Sequence, residues 1–264
     1  MEVSAIPDLP EIRPGDDLGG LISERAELRS SDVVCVASTV VSKAEGRLGD
    51  LDAFPPSERA LAVADRLTEL TGEERDPRFA QAIIEESEEL IIEAPFVLAA
   101  TRFGHITVNA GIDRSNVAGH DLLLLPEDPT ASARALASAL GCKVIVTDTS
   151  GRPFRLGQRG VALGWAGLAA ARDWRGEPDR DGRRLDVTVQ AVVDELAATA
   201  NLLTGEGDGG TPVAVIRGFE FGPHETSDEL FRGADRDVIR SALRAYQWTP
   251  ANTTHHDRDA SRSE

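Results

Sequence analysis

The spacing of apolar residues along this chain alternates between the two periods that distinguish strands from helices. Residues 32–38 form a nearly continuous apolar run, which predicts a buried strand that ends in polar Ser38. Residues 57–70 instead place Val63 and Leu67 on one face of a helix, and Gly72 is typical of the end of such a helix. The chain therefore contains both kinds of element.

The same reasoning extends to the rest of the chain. Asp76 followed by a proline predicts the start of a second helix. Residues 160–171 are small and apolar, which is compatible with either a close-packed helix or a pair of strands. Further helices are predicted at residues 130–140, 188–203 and 235–246, and strands at 96–100, 105–108, 122–126, 143–147 and 212–217.

Helices and strands are mixed without a regular βαβ alternation, which favours an α+β fold over a doubly wound sheet. We predict mixed, largely antiparallel sheets with helices, arranged as two intimately packed subdomains in one functional unit. Residues 1–248 are assigned to this domain. Residues 249–264 are polar and are predicted to form a disordered tail.

Charge narrows the function classes. Asp and Glu number 45 against 28 Lys and Arg, for a net charge of −17, which disfavours binding to nucleic acid backbones. The only lysines are Lys43 and Lys143. An acidic, lysine-poor composition is typical of proteins adapted to high salt, where excess charge is screened. A GC-rich genome would explain arginine over lysine but not the excess of acid.

The sequence contains neither an apolar run of membrane-spanning length nor a recognisable signal peptide. No apolar run approaches the roughly 18 residues of a membrane span, and the acidic N-terminus does not resemble a signal peptide. A cytoplasmic protein that does not bind membranes is therefore expected. Cys35 and Cys142 each lie in an apolar run and are predicted to be buried free thiols.

Two segments end short apolar runs at an aspartate surrounded by small polar residues. In residues 107–116 this is Asp113, and in residues 146–155 it is Asp148, which is followed by Thr149. Carboxylates among hydroxyl groups suit a hard cation that holds phosphate oxygens. Taken alone, each aspartate can equally be interpreted as an ordinary turn or cap residue. Together with Glu206 they predict a Mg²⁺ or Mn²⁺ site built from distant segments.

Residues 204–211 are rich in glycine and formally match G-x-G-x-x-G. The dinucleotide motif requires the order strand, glycines, helix, whereas here the predicted order is helix, glycines, strand. The segment is therefore either a plain linker or a loop whose backbone approaches a ligand closely. Lys43 follows the first predicted strand and, in a chain that otherwise uses arginine, indicates a compact ammonium that contacts phosphate.

These segments resemble one known family, the coenzyme F-420:gamma-glutamyl ligases. The resemblance covers roughly residues 6–220, in the order of the family. The segments that carry it are Leu9-Pro-Glu-Ile12, Val40-Val-Ser-Lys-Ala-Glu-Gly-Arg47, Val108-Asn-Ala-Gly-Ile-Asp-Arg-Ser-Asn116, Leu125-Pro-Glu-Asp-Pro129, Thr147-Asp-Thr-Ser-Gly-Arg-Pro-Phe-Arg155 and residues 204–211.

The resemblance implies a GTP-dependent ligase in a homodimer. It would join L-glutamate to the lactyl carboxyl of the deazaflavin coenzyme F-420 precursor through an acyl phosphate, and then add a further gamma-linked glutamate. Mg²⁺ or Mn²⁺ and a monovalent cation, K⁺, are the implied cofactors. No residue is assigned as a general base.

The family motifs also imply site residues. Glu206 stands where many family members have glutamine, which adds charge to the implied metal site. The implied metal ligands are Asp113, Asp148, Thr149 and Glu206. The implied nucleotide contacts are Leu9, Pro10, Glu11, Ile12, Ser38, Thr39, Lys43, Asn116, Thr204, Gly205, Glu206, Gly207, Asp208, Gly209, Gly210 and Thr211.

A second class of function stays open at this point. The same residues would serve a metal- and nucleotide-binding regulatory protein without ligase activity. The two hypotheses differ in whether glutamate is incorporated into the deazaflavin precursor.

The acidic composition generates a prediction about salt. Lowering the KCl concentration from molar to dilute buffer should lower both the melting temperature and the activity, because unscreened carboxylates repel one another. Thermal unfolding measured across a KCl series tests this. A melting temperature that is the same in dilute buffer and in molar KCl would contradict adaptation to high salt.

Overall fold

The computed structural model describes residues 1–117, 119–207 and 209–246. The helices are α1 (Leu18–Ser23), α2 (Ser38–Ala44), α3 (Glu58–Thr71), α4 (Pro77–Glu85), α5 (Pro129–Leu140), α6 (Val192–Thr204) and α7 (Val238–Ala245). The strands are β1 (Glu2–Ala5), β2 (Val33–Ala37), β3 (Leu48–Gly49), β4 (Ser87–Ile92), β5 (Leu98–Thr101), β6 (Ile106–Val108), β7 (Leu122–Leu123), β8 (Lys143–Arg152), β9 (Arg155–Ala166), β10 (Ala171–Asp173), β11 (Val189–Ala191), β12 (Val213–Arg217) and β13 (Glu225–Ser227).

The chain divides into two compact units. The first comprises Met1–Leu48 and Leu125–Leu230, and the second comprises Gly49–Leu124 with the described residues from Phe231 onward. Several mostly antiparallel sheets and the helices between them confirm the α+β fold class.

The first unit is built on a five-stranded sheet in the order β1-β12-β2-β8-β9. All neighbouring pairs are antiparallel except β2 and β8, which run parallel. Their register pairs Val33 with Lys143 and Ala37 with Thr147. A parallel pair requires a long crossover connection, and here the chain between the two strands contains the whole main segment of the second unit.

Helices cover both faces of the central strands in the first unit. Val34 and Val146 pack on one face against residues of α1, α2 and α5. Val33 and Ile145 pack on the other face against α6. Burial on both faces explains why β2 is a continuous apolar run rather than an alternating one.

The second unit packs α3 and α4 beside the antiparallel sheet β4-β5-β6. Ser57 caps α3 by accepting a hydrogen bond from the Ala60 amide at 3.2 Å. Asp76 caps α4 by accepting a hydrogen bond from the Arg78 amide at 2.9 Å. The C-terminal helix α7 joins this unit through Arg240 and Arg244, which both donate to Glu89 of β4.

Most predicted elements are confirmed, and the differences have physical causes. Within residues 160–171 the helix alternative is wrong, because residues 160–166 belong to β9, which pairs with β8, and Ala171 begins β10. The prediction of one helix over 188–203 is wrong at its start, because β11 pairs with β10 and α6 begins only at Val192. Such pairing with a distant strand overrides local helix propensity. The predicted tail at 249–264 lies outside the described residues.

Two further differences concern the ends of elements. The strand predicted at 122–126 is limited to β7, and the last helix begins at Val238 rather than at 235. Among the residues that the structure describes, no helix has both the length and the apolar character needed to cross a membrane.

Asp32 connects the start of β2 to the end of β12. Its carboxylate is fully buried and accepts hydrogen bonds from Arg217 Nε at 3.0 Å and Arg217 Nη2 at 2.7 Å. It also accepts a hydrogen bond from the Arg29 amide at 2.9 Å. The hydrogen bond from Arg217 is the main reason that the pKa of Asp32 is lowered from its ordinary value.

This ion pair generates a prediction about stability. Asp32→Asn should lower the free energy of unfolding by about 2–3 kcal/mol, less than for a fully buried pair because Arg217 remains partly exposed. Since the pKa is lowered in the folded state, the contribution is complete above the ordinary pKa of about 3.9 and is lost as the pH falls below it. Denaturant unfolding at constant salt, measured from pH 7 down to pH 3, tests both statements.

The matched control is Asp52→Asn. The side chain of Asp52 is 91% exposed and pairs with Arg78 at 2.6 Å, so its loss should cost less than about 1 kcal/mol. Equal effects of the two substitutions would show that the Asp32 pair does not stabilise the sheet.

Candidate functional site

The parallel register of β2 and β8 places Ser38 beside Asp148. Ala37 pairs with Thr147, so the next residue of each segment lies at the same end of the sheet. Ser38 begins α2 directly after β2 and is 3% exposed. Its Oγ donates to Asp148 Oδ1 at 3.3 Å. Two predicted site residues 110 positions apart in the chain are therefore neighbours.

Asp148 and Thr149 lie on opposite faces of the sheet. Successive residues of a strand alternate between the two faces. Asp148 shares its face with Val146, which packs toward α2 and α5, whereas Thr149 shares its face with Ile145, which packs toward α6. The two side chains therefore point toward different helical layers.

Glu206 is held at the same end of the sheet through α6. Thr149 pairs with Gly160 of β9. A Cβ atom on Gly160 would lie 2.5 Å from the Ala197 carbonyl oxygen and 2.9 Å from the Asn201 Cβ, so only glycine lets β9 approach α6 so closely. Asn201 Nδ2 in turn donates to Glu206 Oε1 at 2.7 Å.

The glycine-rich segment connects α6 to the centre of the sheet. Thr204 is the last residue of α6, and Gly205 and Gly210 have φ angles of 68° and 62°, which favour glycine. After this segment the Pro212 carbonyl accepts a hydrogen bond from the Ala37 amide at 2.9 Å. The segment therefore ends next to Ser38. Asp208, one of its predicted contacts, lies outside the described residues.

Added side chains would meet little at these glycines. A Cβ atom on Gly205, Gly207 or Gly210 would have no heavy atom within 4 Å. Thr211 Oγ1 donates to the Thr204 carbonyl at 3.5 Å and spans the segment. A Cβ atom on Gly209 would meet only Thr211 Oγ1, at 3.8 Å.

Residues 9–12 and Lys43 lie in the same unit. The Ile6 amide donates to the Val213 carbonyl at 2.8 Å, which brings the segment after β1 beside β12. Ile12 is buried and Leu9 packs against the same core, whereas Pro10 is exposed. The Lys43 side chain is only 12% exposed, and its Nζ donates to Glu11 Oε1 at 2.5 Å. A phosphate at this ammonium would compete with the Glu11 carboxylate.

Asp113 and Asn116 belong to the second unit. The Asp113 side chain accepts hydrogen bonds from the Ser115 amide and from the Ser115 hydroxyl, each at 2.8 Å. Its backbone forms an isolated antiparallel bridge with Leu123. Asn116 has a φ angle of 54°. Asp113 therefore stabilises its own turn, which agrees with the alternative interpretation of this residue as an ordinary turn residue. These hydrogen bonds do not prevent the carboxylate from binding a metal.

The candidate ligand side chains near the middle of β8, at the start of α2 and after α6 have oxygen donors only. The carboxylates of Asp148 and Glu206 and the hydroxyl groups of Ser38 and Thr149 suit Mg²⁺ or Mn²⁺ better than a softer ion. Over the described parts of the chain, no three His, Cys, Asp or Glu side chains gather closely enough to hold a metal ion. Mg²⁺ commonly binds one or two carboxylates and completes its shell with water and substrate phosphates, so the donors present fit that ion.

The structure adds contacts that the sequence interpretation missed. Asn201 and Gly160 were not predicted, although they join Glu206 to β9. Only the excess of small residues after position 160 hinted at a close approach. Ser38 was expected to contact nucleotide, and its hydrogen bond to Asp148 was not foreseen.

Comparison with known proteins gives a consistent match. Residues 8–218 match the family model described as F420-0:gamma-glutamyl ligase. The coenzyme F420:L-glutamate ligase of Natronomonas pharaonis is 69% identical over 249 residues, which cover 94% of this chain and 98% of that protein. The protein of the same name from Halorubrum lacusprofundi is 67% identical over 250 residues, which cover 94% and 99% of the two chains.

A more distant relative shows the same coverage. The coenzyme F420:L-glutamate ligase of Archaeoglobus fulgidus is 46% identical over 250 residues, which cover 92% of this chain and 98% of that protein. Natronomonas and Halorubrum are halophilic archaea, which agrees with the acidic composition of this chain.

Proposed function

The chain belongs to the F420-0:gamma-glutamyl ligase family, and from this premise we propose that it joins L-glutamate to the coenzyme F-420 precursor at the expense of GTP. Membership in this family makes the protein a ligase of coenzyme F420 and glutamate. The use of GTP, the acyl phosphate and the addition of a second, gamma-linked glutamate are proposals. The observation that carries them is the family match across residues 8–218, which includes every predicted site residue.

The chemistry requires activation of a carboxylate. An oxygen of the lactyl carboxylate attacks the γ-phosphorus of GTP, and the bond from that phosphorus to the bridging oxygen of GDP breaks. The glutamate amine then attacks the acyl carbon, a C–N bond forms, phosphate leaves and the amine proton passes to solvent. Positioning and charge neutralisation account for most of the catalysis in such phosphoryl transfers. No nucleophilic side chain is needed.

Four residues are proposed to hold the divalent ion. On the family resemblance these are Asp113, Asp148, Thr149 and Glu206. Bound there, Mg²⁺ or Mn²⁺ would neutralise phosphate oxygens. The hydrogen bond from Ser38 to Asp148 supports this assignment, because a positioned carboxylate loses less freedom on binding a ligand.

The nucleotide contacts proposed for the first unit rest on its open backbone and its one nearby lysine. The glycine-rich segment presents amide groups that can donate to phosphate oxygens. Lys43 supplies a compact positive charge after displacement of Glu11. Residues 9–12, Ser38 and Thr39 complete the proposed contacts of this unit. Asn116 as a nucleotide contact and K⁺ as monovalent cofactor are proposed on the family resemblance alone.

A regulatory protein that binds nucleotide without ligating glutamate is the alternative. The names of the relatives favour the ligase, since the chain covers at least 98% of each of the three relatives described above. No contact within the described residues favours the regulator.

We expect the protein to add glutamyl units to the precursor when it is incubated with GTP, Mn²⁺, KCl and L-glutamate. Asp148→Asn and Asp113→Ala should each lower this rate by at least about 100-fold, because each removes a proposed ligand of the charge-neutralising ion. Mass spectrometry of the product and release of GDP measure the reaction. Both variants should keep near-wild-type melting temperatures.

Asp186→Asn is the matched control, because Asp186 is an exposed aspartate of the first unit that is assigned no role. A wild-type protein that binds GTP but adds no glutamate would support the regulator instead. Turnover of Asp148→Asn equal to that of Asp186→Asn would remove Asp148 from the metal site.

A homodimer is also proposed, and the tip of the β8–β9 hairpin supports it. We call residues 148–160 the arm. Phe154 and Leu156 at its tip are 104% and 99% exposed, which is unusual for large apolar side chains. Since the family resemblance implies two copies, we propose that these side chains pack on a second copy of the chain.

Replacing the apolar tip should weaken the dimer. Phe154→Ser combined with Leu156→Ser should shift the protein from dimer to monomer at micromolar concentration, because the apolar contact area is lost. Light scattering after size-exclusion chromatography in molar KCl measures the mass. Val187→Ser is the control, since Val187 is 86% exposed in the same unit. A wild-type monomer, or a tip variant that remains dimeric, would contradict the proposal.

A further inference from the structure

Three arginines lie on the arm beyond the proposed metal ligands. Arg152 of β8 stands directly opposite Arg155 of β9, and Arg159 stands opposite Ser150. Arg155 and Arg159 are exposed and Arg152 is half-buried. Like charges placed directly opposite each other destabilise a strand pair, so this arrangement is unfavourable for the hairpin by itself.

The facing arginines of the arm lack acidic partners, whereas two other arginines of the first unit have them. Arg175 pairs with Asp173 at 2.6 Å, and Arg217 pairs with Asp32 at 2.7 Å. Within the described residues, neither Arg152 nor Arg155 has a carboxylate within 4.0 Å, and Arg159 reaches Asp194 only at 4.0 Å. With 45 acidic residues in the chain, a facing pair of arginines without carboxylate partners is a local positive site in an otherwise negative protein.

The positions of these arginines relate them to the proposed reaction centre. Arg152 follows Asp148 by four residues along β8, beyond an irregularity in the strand pairing between Ser150 and Arg152. Four residues at about 3.3 Å each separate Asp148 from Arg152 by about 13 Å along the backbone. The long arginine side chains cover part of this distance, so an anion bound to them can extend toward Asp148.

The proposed reaction needs such a site for its amino-acid substrate. L-Glutamate carries two carboxylates, and its amine must be free to attack, so binding has to use the carboxylates. A protein with a net charge of −17 repels glutamate, whose net charge is negative at neutral pH, unless positive charge is concentrated where it binds. The planar fork of a guanidinium group matches a carboxylate in two parallel hydrogen bonds.

We propose that Arg152 and Arg155 form the subsite that binds the carboxylates of L-glutamate. This inference rests on the proposed function. It assigns the arm arginines a role in binding the amino acid, distinct from the nucleotide contacts of Lys43 and the glycine-rich segment. Arg159, which is partly engaged with Asp194, is not required.

Substitution of the pair should change the affinity for glutamate selectively. Arg152→Gln and Arg155→Gln should each raise the KM for L-glutamate at least about tenfold, because each removes a charge-assisted pair of hydrogen bonds. The KM for GTP should stay within about twofold of wild type. Lysine at either position should restore only part of the affinity, since it keeps the charge and loses the fork.

A control variant and a direct binding measurement separate a loss of glutamate binding from a general effect of removing an arginine. Arg180→Gln removes an exposed arginine of the same unit that has no ion pair within the described residues, and it should leave all constants unchanged. Calorimetric titration of L-glutamate into the GDP- and Mn²⁺-loaded protein should show at least about tenfold weaker binding by the double variant Arg152→Gln, Arg155→Gln than by wild type.

Three results would overturn the inference. One is a glutamate KM and affinity that the arm substitutions leave unchanged. Another is an equal rise in the KM for GTP, which would show that the arm binds nucleotide. The third is conversion of the arginine variants to monomer, with glutamate affinity restored when the dimer is re-formed at high protein concentration. That result would assign the arginines to an acidic surface of a second copy.

Failure of the proposed function gives a different pattern. If wild type adds no glutamate to the precursor yet binds L-glutamate through Arg152 and Arg155, the ligase proposal fails and the subsite remains. If wild type binds no L-glutamate by calorimetry, the subsite itself is overturned.

Discussion

The parallel pairing of β2 with β8 is the constraint on which the candidate site of the first unit depends. Its register places Ala37 opposite Thr147 and so sets Ser38 beside Asp148. Burial of both faces of these strands fixes that register, because a shift by one residue would turn Val34, Val36, Val144 and Val146 toward the wrong helical layer. The apolar core thus determines which polar residues meet at the end of the sheet.

The β8–β9 hairpin extends this constraint beyond the core. The part of the hairpin outside the arm packs against α5 and α6, whereas residues 153–159 at the tip are exposed. Gly160 lies where the hairpin passes from its packed part to the arm. Because it has no side chain, β9 can contact α6, and the end of that helix comes to the level of Thr149. One hairpin therefore carries proposed metal ligands at its middle and positive charge near its tip.

The distribution of charge explains how an acidic protein can accept anionic substrates. The overall net charge of −17 is of the kind found in proteins adapted to high salt, and two relatives come from halophilic archaea, but this charge opposes binding of glutamate and of the proposed GTP. Positive groups are placed where phosphate and carboxylate are proposed to bind. Lys43 is proposed to bind the phosphate and the facing arginines of the arm to bind the carboxylates, with a metal ion also proposed.

Local patterns in the sequence were sufficient to predict the elements whose apolar periodicity and caps lie within one segment. The strand β2 and the helices α3, α4 and α5 were predicted because their apolar periods and caps are complete within a few residues. The arm was not predicted, because residues 148–160 are polar and glycine-rich and become strand only by pairing with each other. The short strand β11 was missed for the same reason, since β10 is its partner.

Family membership and the identity of the candidate residues were determined by the sequence itself, because motif residues such as Asp148, Thr149 and Lys43 can be read without coordinates. Tertiary structure alone decided which of them are neighbours. Ser38 and Asp148 are separated by 110 residues, and Glu206 reaches the sheet through Asn201 and Gly160. Such contacts follow from strand register and helix packing, which depend on the whole apolar core and not on any segment alone.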